Sequence, residues 1–263
     1  MIETLLIFLA TGAAAGLLAG LFGVGGGLIM VPALAFLLPR QGIGETVVMQ
    51  VAIGTSLAVI SVTSIASLLA HHRRGGVLWP VFRRMAPGLA LGAVAGAFAA
   101  HALPAIALKR IVGVGALLVA LQMFLDTQPK TAGQLPGVAG LFAAGSVIGS
   151  LSALIGIGGG SLNVPFLSWC RIDMRQAVGT SAACGLPIAL AGALGFVLAG
   201  WGVQGLPPYS LGYVSLAGFV SIATASVLTA PLGAQLAHAL PPKILKKSFA
   251  VLLAGIGLGM LLG

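Results

Sequence analysis

The sequence predicts an all-α, polytopic integral membrane protein built from two homologous repeats of four or five membrane segments each, with glycine-broken or re-entrant helices at the centre. Three observations carry that prediction. Only 6% of the 263 residues are charged while 59% are hydrophobic, far too little charge to cover the surface of a water-soluble domain. Charge-free runs extend over Leu5 to Pro39, Val47 to Ala70, Met85 to Leu108, Ile111 to Leu125, Leu135 to Cys170 and Gln176 to Pro242; a lipid-spanning helix needs about 20 apolar residues. Finally, "FGVGGGLIMVP" at Phe22 to Pro32 returns as "IGIGGGSLNVP" at Ile155 to Pro165.

The elements can be taken in order. "MIETLLIFLATGAAAG" carries an acidic Glu3 and no basic stretch before its apolar run, so it reads as a first membrane segment rather than a cleaved signal. The glycine run follows. Leu28 to Leu38, only 11 residues, covers roughly 16 Å as a helix against a hydrocarbon core of about 30 Å, so it cannot cross straight. Next, "MQVAIGTSLA" (Met49 to Ala58) is matched by "MRQAVGTSAA" (Met174 to Ala183), and "AHALPAIALKR" (Ala100 to Arg110) by "AHALPPKILKK" (Ala237 to Lys247). The glycine runs align with an offset of 133, the other two pairs with 125 and 137. Three matches in one order indicate internal duplication: residues 1–130 form the first repeat and 131–263 the second, joined near the polar stretch Asp126 to Pro136.

Charge placement selects between two arrangements. If each short apolar piece after a glycine run turns back, each half has five segments and the halves are inverted. One membrane face then holds Arg73, Arg74, Arg83, Arg84, Lys130, Arg171, Arg175, Lys243, Lys246 and Lys247, and the other only Arg40, Lys109 and Arg110. If each glycine element is one broken span, the halves are parallel and the split is five against eight. The positive-inside rule favours ten against three, with "HHRRGG" (His71 to Gly76) in the cytoplasm and both termini outside. The 13 basic against 4 acidic residues thus orient the chain in a membrane; no basic groove with interleaved aromatics points to nucleic acid.

Candidate binding residues cluster at the repeated elements. Where a helix begins after a break, its first N–H groups lack internal partners and carry the positive end of the dipole. Glycine there lets an anion approach the backbone closely. Gly23, Gly25, Gly26 and Gly27 of the first run, and Gly156, Gly158, Gly159 and Gly160 of the second, are therefore assigned to substrate binding. Ser161 and Asn163 add neutral donors, where the first half has Leu28 and Met30. The "GTS" hydroxyls, Thr55 and Ser56 with Thr180 and Ser181, are second-choice ligands, because a membrane Ser or Thr most often bonds its own i−4 carbonyl. Packing seams of small residues explain glycines such as Gly92 and Gly96.

Other residues suggest structure. Trp79, Trp169, Trp201 and Tyr209 fall near segment ends as interfacial anchors. His101 and His238 precede Leu-Pro and read as helix-end hydrogen-bonding groups, and Glu45 and Asp173 suit helix N-termini. Cys170 and Cys184 read as buried thiols, with no metal or disulfide spacing. No catalytic set, Walker loop or intramembrane carboxylate is present, so the chain is expected to be no enzyme and to use no metal or cofactor.

Taken together, "GLLAGLFGVGGGLIMVPAL", "SLSALIGIGGGSLNVPFL", "AVGTSAA" and "HHRRGGV" resemble the sulfite exporter TauE/SafE family over essentially the whole chain. That resemblance implies a multi-pass transporter of the bacterial cytoplasmic (inner) membrane exporting sulfur-containing anions such as sulfite or sulfoacetate. Its partners would be a small anionic substrate and the lipid bilayer, with a homo-oligomer left open. An anion channel, with flux that never saturates, and a non-transporting membrane scaffold, with glycines that only pack, are the rival expectations.

Overall fold

The computed structural model of the chain describes residues 2–22, 26–125, 133–239 and 242–262. These form ten α-helices: α1 (Ile2–Phe22), α2 (Gly27–Leu37), α3 (Val48–Arg73), α4 (Trp79–Ala102), α5 (Ala105–Leu125), α6 (Val138–Ile155), α7 (Gly160–Trp169), α8 (Met174–Ala199), α9 (Leu216–Ala239) and α10 (Pro242–Leu262). A two-residue antiparallel ribbon, β1 (Ser210–Leu211) with β2 (Val214–Ser215), precedes α9 and is not among the expected elements. Five of the helices (α3, α4, α5, α6 and α8) are long and apolar enough to cross a membrane. The chain is therefore an all-α polytopic membrane protein.

Helix ends follow local chemistry. α4 opens with a proline in its first two positions, where the missing N–H costs nothing. α8 is capped by Asp173, whose carboxylate accepts the N–H of Arg175 at 3.1 Å, as its place before the helix predicts. α2 and α7 hold Pro32 and Pro165 in their interiors, so neither proline gives an N–H to the carbonyl four residues before it, Leu28 and Ser161 respectively. Both helices are correspondingly short, 11 and 10 residues.

Packing pairs elements from opposite halves. α1 lies along α9, α4 along α6, α5 along α10 and α3 along α8. The first two seams are built from small residues, which lets backbones close to contact distance. A Cβ placed on Gly92 would stand 2.0 Å from the Ser146 carbonyl oxygen, and one on Gly149 would stand 2.2 Å from that of Leu89. Gly12 and Gly16 meet Ile222 and Ser226 in the same manner. Ser226 Oγ donates to the Gly12 carbonyl at 2.9 Å, and Thr229 Oγ1 to that of Ala13 at 2.9 Å. Hydroxyl bonds of this kind replace the hydrophobic effect as the driving force for association in lipid.

α3 is the central helix: every residue from Val47 to Ile60 is buried. Along α4, α5, α6 and α8 the outward faces instead expose Leu91, Leu118, Val147 and Leu194, a lipid-facing apolar shell.

Loops collect at two ends of the bundle. At one end Arg175 Nη2 donates to the Arg74 carbonyl at 2.8 Å, and the Gly133 N–H to the Trp169 carbonyl at 2.9 Å. These bonds tie the α3–α4 connection to the start of α8, and the α5–α6 connection to the end of α7. At the other end, Gln50 Nε2 donates to the Leu103 carbonyl at 3.1 Å, and His101 Nδ1 pairs with Tyr213 Oη at 2.9 Å. The helix-end role expected for His101 is thus met by a tyrosine hydroxyl. Trp169, Trp201 and Tyr209 are exposed, as interfacial anchors require.

Candidate functional site

The second glycine run interrupts the backbone twice. α6 stops at Gly156, which takes the left-handed conformation (φ 79°), while the Gly156 and Ile157 N–H groups both return to the Ser152 carbonyl at 2.9 Å. That closure is a Schellman-type C-cap, which needs a residue without Cβ strain. Three residues later Gly159 is again left-handed (φ 75°), and its carbonyl accepts from Leu162 at 3.1 Å and Asn163 at 2.8 Å, starting α7. Gly158 lies between them, and Gly160 is the first residue of α7. In the first run Gly23 and Gly25 lie outside the described residues. Gly26 repeats the geometry of Gly159, with φ 71° and its carbonyl accepting from Ile29 at 3.0 Å and Met30 at 2.9 Å, and Gly27 begins α2.

The two breaks face each other. A Cβ on Gly27 would stand 2.4 Å from the Gly156 carbonyl oxygen and 3.1 Å from Ile157 Cα; one on Gly156 would stand 2.5 Å from Val31. Ile60 of α3 closes over Gly27 and Gly158, and Ile188 of α8 over Gly159. Among the described residues, no N–H of Gly26, Gly27 or Leu28, nor of Gly158 to Ser161, donates a backbone hydrogen bond. The start of α2 therefore lies against the end of α6, at the second break.

Among the described residues, the unpartnered polar side chains at this junction belong to the second half. Asn163 is 0% exposed with neither Oδ1 nor Nδ2 partnered; Ser152 is 0% exposed with Oγ unpartnered; Ser161 Oγ is likewise buried and unpartnered. Both fully buried groups point to the same glycine. The site of a Cβ on Gly159 lies 2.7 Å from Asn163 Nδ2 and 3.5 Å from Ser152 Oγ. Burying such groups without partners costs roughly 1–3 kcal/mol each, and native interiors rarely retain them. Ser152 is the residue that sequence reasoning missed. It sits inside α6, before the glycines, and its only signal is the offset of 133, which pairs it with Ala19.

The "GTS" hydroxyls are engaged with backbone groups. Thr55 Oγ1 accepts the Ser215 N–H at 3.0 Å, just before α9, and Thr180 Oγ1 accepts the Leu78 N–H at 2.9 Å, just before α4. Gly54 and Gly179 admit the same entering segments: a Cβ would stand 2.8 Å from the Tyr213 carbonyl oxygen and 2.3 Å from that of Gly76. Each half therefore caps the fourth helix of the other. Ser56 Oγ donates to the Gly156 carbonyl at 3.1 Å, and Ser181 Oγ reaches the Gly160 carbonyl at 3.5 Å. These two hydroxyls brace the second break, so all four serve backbone groups rather than i−4 carbonyls or an open cavity.

Comparison with known proteins identifies the family. The family described as sulfite exporter TauE/SafE matches residues 8–260. A probable membrane transporter protein of Haemophilus influenzae is 38% identical over 268 residues, covering 100% of both chains. Another, of Methanocaldococcus jannaschii, is 27% identical and covers 97% of this chain and 95% of its own. A third, of Bacillus subtilis, is 24% identical with 94% and 96% covered. No solved structure matches. From the matched span and the full-length relative, the chain belongs to the sulfite exporter TauE/SafE family.

Proposed function

We propose that the chain is a secondary transporter that exports small sulfur-containing anions across the bacterial cytoplasmic membrane by alternating access of two inverted repeats. Membership of the family and the names of its relatives support a membrane transporter rather than an enzyme. The observation that carries the substrate site is the second glycine break, where the start of α7, whose first N–H groups donate no backbone hydrogen bond among the described residues, adjoins buried, unpartnered Ser152, Ser161 and Asn163, with the start of α2 packed against the same break.

Such a site binds an anion with neutral donors and two helix dipoles. The donors offset the hydration an anion loses on entering the membrane, at a depth where bare charge is expensive. Gly26, Gly27, Gly158, Gly159, Gly160, Ser161 and Asn163 would supply the contacts, with Gly23 and Gly25 completing the first run. Ser56, Gly156 and Ser181 would hold the second break in place, and Thr55 and Thr180 the segments that enter α9 and α4.

Contacts between halves support inversion. Thr55, near the start of α3, meets the segment beyond the end of α8; Thr180, near the start of α8, meets the segment beyond the end of α3. Equivalent helices then run in opposite directions, as in transporters whose repeats rock about a central site. The loop end that holds Arg73, Arg74, Arg171 and Arg175 would face the cytoplasm and concentrate anions at the entrance. An inside-negative potential then favours exit by about 2.3 kcal/mol per charge per 100 mV without any coupling carboxylate.

The test is uptake into proteoliposomes of sulfite, sulfate, thiosulfate, taurine and sulfoacetate under an imposed potential. Saturable flux for at least one sulfur anion is expected. Flux that never saturates would instead mean a channel, and none at all would end the exporter reading.

A further inference from the structure

Resting on the exporter reading, we infer that the ligand is a monovalent oxyanion carrying its own hydrogen-bond donor, such as hydrogensulfite rather than the sulfite dianion, and that one such ion sits on the second glycine break. Charge is the first argument. α2, α6 and α7 carry no ionisable side chain. Of the long helices packed around the junction, α3 contributes only His71, His72 and Arg73 at its far end, and α8 only Arg175 at its start and the buried thiol of Cys184. α5 and α10, which pack on Leu28 and Ile157, carry Lys109, Arg110, Lys243, Lys246 and Lys247 within their first two turns; no basic residue lies on α6 or α7, the two helices that form the second break itself. The self-energy of a buried ion grows with the square of its charge, so a dianion would pay roughly four times the desolvation cost of a monoanion.

Hydrogen-bond polarity is the second argument. Asn163 is fully buried with both ends of its amide unpartnered. Whichever way that amide is turned, one end donates and the other accepts. Pro165 supplies no N–H to the Ser161 carbonyl, which leaves a further acceptor one turn away. A fully ionised oxyanion presents acceptors only; it would satisfy Asn163 Nδ2, Ser152 Oγ and the N–H groups of Gly160 and Ser161, and leave Asn163 Oδ1 facing like charge. A ligand with one O–H satisfies both sets. The first break offers no second seat, since Leu28 and Met30 stand where Ser161 and Asn163 stand in the second.

The experiment is uptake of radiolabelled sulfite by the full chain in proteoliposomes, with equal pH on both sides and protein-free vesicles subtracted. Sulfite loses its last proton near neutrality, so its protonation varies across the accessible range. Half-saturation expressed as total sulfite should rise about tenfold per pH unit on the alkaline side. For 2-hydroxyethanesulfonate, a monoanion with a hydroxyl and no titration in that range, half-saturation should stay flat. Sulfate should be taken up at least tenfold less well. Ser152→Ala should raise half-saturation for both substrates about fivefold, the worth of one hydrogen bond, while leaving the pH profile in place. A flat sulfite profile, or sulfate carried as well as sulfite, would overturn the inference and leave the exporter reading standing. Absence of saturable uptake for every sulfur anion would overturn both.

Discussion

Gly26 caps α2 with φ 71° and Gly159 caps α7 with φ 75°, and each carbonyl accepts the same two N–H groups three and four residues on. The side chains around these matching turns differ completely. Ser152, Ser161 and Asn163 surround the second; the first has Ala19, Leu28 and Met30 at the corresponding places. Leu28 is 1% exposed and packs into an apolar cluster with Ala116, Val119, Ile157 and Leu253, separate from the main core. Duplicated backbones with unequal side chains show which part of the motif the fold needs. Glycine and proline set the turn in both halves; unpartnered polarity is added, among the described residues, only in the second, where it opposes stability.

The harshest way to break this comparison is to close the turn itself. Gly159→Ala forces a left-handed residue to carry a Cβ, 2.4 Å from Ile188 Cδ1 and 2.7 Å from Asn163 Nδ2. Together, strain and crowding should cost about 3 kcal/mol or more, seen as a large fall in melting temperature in detergent and loss of flux. Its neighbour Gly160 has nothing within 4 Å of a Cβ, so Gly160→Ala should melt close to the parent protein. Equal melting of the two variants would show that the left-handed cap is dispensable.

A sharper version separates function from stability. Asn163→Leu removes an unpartnered buried amide and should raise stability by roughly 1–3 kcal/mol while cutting saturable uptake more than tenfold. Met30→Leu, the matching change in the first half, exchanges residues of similar volume and should cost less than about 1.5 kcal/mol with uptake preserved. Should Asn163→Leu melt earlier and transport normally, the amide is a structural group and the asymmetry has no functional meaning.

The smallest expected effect lies where the halves agree. Thr55→Val and Thr180→Val each leave a backbone N–H without its acceptor, at Ser215 and Leu78 respectively. Each should cost about 1–2 kcal/mol, by similar amounts. Because the clasps lie at different ends of the bundle, the double variant should be additive within about 0.5 kcal/mol. Unequal costs would mean that the two halves bear load differently in the clasp as well as in the break.

Much of this architecture is legible in the amino-acid sequence. Apolar run lengths set the membrane segments, and Leu28–Leu38 is too short to cross, as α2 (Gly27–Leu37) shows. Glycine triplets locate both helix interruptions, because a chain of L-residues enters the left-handed region readily only at glycine. The role of the "GTS" threonines is not legible. A hydroxyl in a membrane helix has its own i−4 carbonyl within reach, and only the arrival of Ser215 and Leu78 from other elements makes it an acceptor instead. Ser152 is hidden for a related reason: its neighbours in sequence are helical and apolar, and its significance comes from Gly159, which the chain brings back beside it after a turn. The ribbon of Ser210–Leu211 with Val214–Ser215 carries no alternating pattern long enough to read.

The crossed seams set an order of events for biogenesis. α1 is made early, yet the groove it needs is on α9, more than 190 residues later in the chain. α4 likewise waits for α6. During synthesis the first half must stand in lipid with its glycine stripes uncovered, and its final contacts close only when nearly the whole polypeptide has been inserted. Such distant pairings are slow to form. The interval before α9 arrives is therefore when this protein is most open to proteolysis or to pairing with a wrong helix. A half made alone would never leave that interval, whereas the two halves supplied together as separate chains could complete each other.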